Sequence, residues 1–131
     1  MFTLAFERLP KVLMARFSSV FSSDDIEAID AAVLGFVAHE GPVRGILDFS
    51  DVEAVAVSGP RLAVRSRRPP IVPGQDRVFV TPRPDIYGLG RTFAEQQRIA
   101  GGGEPKVATT LAEAYAALGL ADPQFDPVET R

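Results

Sequence analysis

The stretch from Ser22 to Phe49 constrains the fold most, because it reads as a helix with a clear start and stop followed at once by an apolar strand. Ser22 and Ser23 offer caps, Asp24, Asp25 and Glu27 suit the positive end of a helix, and Ile26, Ile29, Val33, Phe36 and Val37 recur at helical spacing. His39 falls in the last turn, Gly41 can take the left-handed cap and Pro42 prevents continuation. Arg44 to Phe49 is then a short apolar run containing Asp48, the pattern of a buried central strand.

The same alternation continues on both sides. Phe2 to Phe6 and Lys11 to Phe17 read as strands separated by Glu7, Arg8, Leu9 and Pro10, a break of hairpin length. Pro60 to Arg68 suits a helix with Pro60 at its first position, where a missing N–H costs nothing, and Arg77 to Val80 is a second buried strand. Asp85 to Ile99 carries Ile86, Leu89 and Phe93 on one face, interrupted by Gly88 and Gly90. A short strand at Lys106 to Ala108 leads into Thr110 to Leu118, where Thr110 and Glu113 have capping-box spacing. Strands that alternate with helices need parallel neighbours joined by helical crossovers. The expected fold is α/β, with a mixed, largely parallel sheet of about five strands, an N-terminal hairpin and about four helices.

At 131 residues the chain is the size of one domain, expected over residues 1–120, with 121–131 as a frayed tail carrying Pro123 and Pro127. A hydrophobic share of 46% against 24% charged is globular usage. The net charge of −3 argues against a nucleic-acid surface, and the absence of cysteine removes disulfides, thiolate nucleophiles and cysteine-held metals. The N-terminal residues lack the pattern of a signal peptide, and no apolar run approaches the roughly 20 residues of a membrane helix. The expectation is a soluble, cytoplasmic protein without membrane insertion.

The order of elements, together with the stretch GILDFSDVEAVAVSGPRL at residues 45–62, resembles the STAS family, which contains bacterial anti-sigma-factor antagonists and the cytoplasmic domains of anion transporters. Asp48, Phe49 and Ser50 match the first part of that family's signature, Val52 falls on an apolar position, and Ser58 and Gly59 match the last part at the right spacing. Ala56 stands where the family has aspartate and Val57 where it has a small polar residue. The resemblance implies a regulatory protein-interaction module without a cofactor. It also implies that Ser58 is the residue phosphorylated by a partner anti-sigma kinase, a modification that switches partner binding off.

Phosphate on Ser58 would add close to two negative charges beside a helix N-terminus, where N–H groups or Arg61 can hold it. The plainer reading is that Ser58 is a turn or cap residue ahead of Pro60. Arg61, Arg65 and Arg68 fall on one helical face with Arg67 nearby, which suits an acidic partner, an anion or simply solvent, with Leu62 and Val64 on the buried side. The partner-contact candidates are therefore Asp48, Ser50, Ser58, Gly59, Arg61, Arg65 and Arg68.

His39 reads as a dipole partner rather than a base, and Asp48, Asp51 and Glu53 as turn-forming residues rather than metal ligands. The runs GLGRTF at Gly88 to Phe93 and GGGEP at Gly101 to Pro105 lack the rest of a dinucleotide or phosphate loop. Three functions follow in order: an interaction module centred on Ser58, a module binding a small apolar, lipid-like or anionic ligand between sheet and helices, and, least supported, an enzyme. A homodimer through exposed Leu or Phe positions is compatible with this composition.

Overall fold

The computed structural model describes residues 1–129. Strands β1 (Phe2–Arg8) and β2 (Lys11–Ser22) form the leading hairpin, in antiparallel register from Phe2↔Phe17 to Arg8↔Lys11. The break between them is only Leu9 and Pro10, since Glu7 and Arg8 stay in the ladder. Helix α1 (Ser23–Glu40) follows, with Ser22 as its N-cap and the Asp25 carboxylate accepting the Ser22 N–H at 2.9 Å. The chain then alternates through β3 (Arg44–Ala56), α2 (Gly59–Arg67), β4 (Arg77–Val80), α3 (Pro84–Ile99), β5 (Lys106–Ala108), α4 (Leu111–Ala117) and β6 (Asp126–Val128).

The sheet order is β5-β4-β3-β2-β1-β6, parallel from β2 to β5 and antiparallel at β1 and β6. This is the mixed, mostly parallel α/β sheet with an N-terminal hairpin, carrying six strands rather than five. The sixth corrects the expectation of a frayed tail: Asp126–Val128 pairs with Leu4–Phe6, and Phe125 stacks on Tyr115 at 6.0 Å. The domain therefore runs to at least Val128.

Two strands outrun their apolar stretches. β2 continues to Ser22 and β3 to Ala56, although β4 pairs only with Gly45 to Asp48. Beyond that point the two strands continue together as a ribbon with register shifts at Arg16/Ser18 and Ser19/Val20, and Ser19 adopts φ 61°. Serines and carboxylates on the ribbon's wet side hide the strand period, while Phe21 and Val52 on its dry side are buried.

Each face of the sheet has its own core. On one face Leu4, Phe6, Phe17 and Ile29 belong to a cluster that also takes in Phe36, Val37 and Leu62, so α1 and α2 cover it; α3 joins them through Ile86. On the other, Val12, Met14, Ile46, Val78 and Val80 pack against Ala114 and Leu118 of α4. Gly90 faces the sheet, where a Cβ would meet Thr81 Cγ2 and Val107 Cγ1 at 3.7 Å, in ordinary van der Waals contact. At α4 the Thr110 hydroxyl accepts the Glu113 N–H at 3.1 Å, but the returning carboxylate takes the N–H and hydroxyl of Thr109 instead of Thr110.

Candidate functional site

The first core is not filled. Between the sheet and α1, α2 and α3 lies a cavity of about 200 Å³. Its floor is a chain of aromatic rings set by alternate residues of the strands. Phe17 stacks on Phe49 at 5.0 Å, Phe21 stands edge-on to both, and Phe79 carries the chain from Phe49 to Phe93 of α3 at 6.2 and 5.8 Å. Aromatic rings meet in such tilted and edge-on geometries because the face of one is negative and the rim of the next positive.

One end of the cavity is polar. Arg65, the seventh residue of α2, turns inward, and its guanidinium grips Asp30 of α1 with Nε at 2.9 Å and Nη2 at 3.2 Å. Its Nη1 donates to the carbonyls of Arg68 and Pro69, and the amide of Gln97 on α3 donates to the same Arg68 carbonyl, each at 3.4 Å. Three helices and the segment after α2 are thereby tied together, and Pro70, Ile71 and Val72 of that segment line the cavity.

Arg77 opens β4 and points to the same end. Its Nη2 reaches the carbonyls of Gly102 and Gly103 at 3.4 and 3.3 Å, while its buried Nε has no hydrogen-bond partner among the described residues. Burial pulls the Arg77 guanidinium below its ordinary pKa, the positive charge of Arg65 adds to that, and Asp76 opposes it.

No protein-family model matches this chain, and no curated protein matches it.

The residues singled out in the sequence are not gathered in one place. Asp48 is 3% exposed and lies on the α4 face of the sheet with Ile46, away from α2. Its carboxylate accepts from Arg16 Nε at 3.2 Å and from the Ser50 N–H and hydroxyl at 2.9 and 2.5 Å. It fixes the β2–β3 pair at the point where β4 ends, so its side chain is not open to a partner. Ser50 is exposed beside it.

Ser58 is exposed, and its hydroxyl caps α2 by accepting the Arg61 N–H at 3.1 Å. Gly59 faces open space, Arg61 is half-buried and Arg68 is exposed. The shared arginine face is corrected by the inward turn of Arg65, made favourable by Asp30, and Val64 rather than Arg65 faces solvent, at 51% exposure. His39 is exposed in the last turn of α1. Sequence reasoning passed over Asp30, Arg77 and Gln97. Asp30 sits four residues after Ile26, at the edge of the apolar stripe, and that position is the one local sign of an inward-facing carboxylate.

Proposed function

We propose that the protein is a binding module that holds a small apolar molecule between its sheet and its helices. The observation that carries this reading is the cavity of about 200 Å³ floored by phenylalanines between the sheet and the helices. Protein interiors pack to crystal density and leave few voids larger than a water molecule, whereas an apolar cavity of about 150 Å³ stays dry and takes up benzene. Asp30, the carboxylate in the lining, is committed to Arg65, which favours binding over acid–base chemistry at this place.

The test is a titration of the labelled protein with benzene, followed by NMR, beside a Leu62→Phe variant that fills part of the space. Saturable shifts at residues lining the cavity, weakened in the variant, are expected. A wild-type spectrum unmoved by benzene, with nothing retained in native mass spectrometry of protein from its own cells, would sink the reading.

A second reading rests on Ser58, the exposed cap of the helix that also supplies Leu62 and Arg65 to the cavity. The resemblance to the STAS family supports a cytoplasmic regulatory module recognised by a protein partner such as an anti-sigma kinase, with phosphorylation at Ser58 as the switch. Intact-mass analysis of protein from its own cells, beside Ser58→Ala, tests it: an added phosphate lost in the variant supports the switch. An unmodified mass across growth conditions leaves Ser58 as a cap alone.

A further inference from the structure

The polar end of the cavity specifies its occupant more closely, provided that the cavity binds a ligand as proposed above. The ionisable side chains in the lining are Asp30, Arg65 and Arg77, two positive and one negative, so the cavity carries a net charge of +1. Arg65 and Asp30 neutralise each other through a two-pronged contact. Arg77 has no carboxylate within ion-pair distance among the described residues, its Nε is buried without an acceptor, and both its hydrogen bonds are long and come from Nη2. A guanidinium without a carboxylate partner in a cavity lining favours an anion nearby, since hydrogen bonds and ion pairs to a charged group are the strong ones.

We propose that the cavity takes a small amphipathic monocarboxylate, its carboxylate received by Arg77 and its apolar body laid over the Phe17–Phe49–Phe79 floor. A second negative charge, as on a phosphate monoester, would stay unneutralised in a site that already holds the Asp30 carboxylate. The size follows from the volume. If about 150 Å³ takes the six carbons of benzene, the 200 Å³ here takes a body of about eight carbons. Octanoate has that size and charge, and 1-octanol has the same number of carbons without the charge.

Binding of both probes is measured by calorimetry at neutral pH to the full chain, to Arg77→Met and to Leu62→Phe. Octanoate is expected to bind the wild type about 10- to 100-fold tighter than 1-octanol, the range for a charge-assisted hydrogen bond. Arg77→Met is expected to erase that preference, with circular dichroism and urea unfolding showing that the variant is folded. The Arg77 guanidinium resonances should move with octanoate and not with 1-octanol. Equal binding of the two probes, a preference that survives Arg77→Met, or tighter binding of octyl phosphate would overturn the head-group assignment while leaving the cavity reading intact. Failure of both probes, or affinities untouched by Leu62→Phe, would overturn the cavity reading itself.

Discussion

Removing the Asp30 carboxylate tests whether the Asp30–Arg65 pair holds the helical layer together. Arg65 is 10% exposed along its side chain and Asp30 25%, and the two meet through two hydrogen bonds of 2.9 and 3.2 Å. Breaking a buried pair by deleting one partner costs about 3–5 kcal/mol, since the other charge stays buried and uncompensated. Water at the quarter-exposed Asp30 screens part of that, so Asp30→Ala is expected to cost about 2–3 kcal/mol. Asp30→Leu with Arg65→Met removes both charges and should recover most of the loss, because apolar replacements of such pairs are often neutral. Urea unfolding of the wild type, Asp30→Leu, Arg65→Met and the double variant gives the coupling free energy, expected at about 1.5–2.5 kcal/mol with an unchanged slope against denaturant. A loss below about 0.5 kcal/mol in Asp30→Ala, or a coupling near zero, would refute the claim that this pair joins α1 to α2.

Three further outcomes are expected. Ser58→Ala should lower stability by about 1 kcal/mol through loss of the α2 cap, whereas Ser58→Asp, which can cap as well, should leave it nearly unchanged in urea unfolding. Asp48→Ala should cost about 1 kcal/mol through loss of the hydrogen bonds from Ser50 and Arg16, donors that can turn to water; a variant with unaltered stability would show that Asp48 is not the brace at the end of β4. Burial raises the pKa of Tyr115 above its ordinary value of 10.0, with Asp48 adding and Arg16 opposing. Because the fold favours the protonated phenol, stability should fall as pH rises past about 10, and ultraviolet titration of a Tyr87→Phe background should place Tyr115 above the free phenol.

Local signals were readable and distant ones were not. Helix α1 could be bounded within a residue or two because Ser22, Asp25, Gly41 and Pro42 are caps and stops that act on their own neighbours. The ribbon at the ends of β2 and β3 escaped notice because Ser18, Ser19, Asp51 and Glu53 on its wet side break up the apolar run that marks a buried strand. The cavity shows the same division. Ser58 was legible as a cap, since its partner lies only three residues on. Arg65 and Asp30 meet across 35 residues, and Arg77 gains its importance from what surrounds it after folding. Nothing in the neighbouring residues marks either arginine as turned inward. The outward arginine stripe, natural on helical spacing alone, failed for the same reason: Asp30, on another helix, drew one member of it inside.

The two ends of the sheet bear on how copies of this chain can meet. A bare strand edge is a template on which another chain can add a strand. At one margin β5 offers only three residues, and at the other β6 is equally short and has Pro127, which lacks an N–H, at its centre. A second molecule therefore finds almost no ladder at these two margins; the longer open edge is that of β3 beyond Asp48, where Arg83 already donates to the carbonyls of Val52 and Glu53. Strand pairing at β5 and β6 is thereby disfavoured, and the helices offer another surface for self-association, where Leu34 and Ile99 are among the large apolar groups left in water.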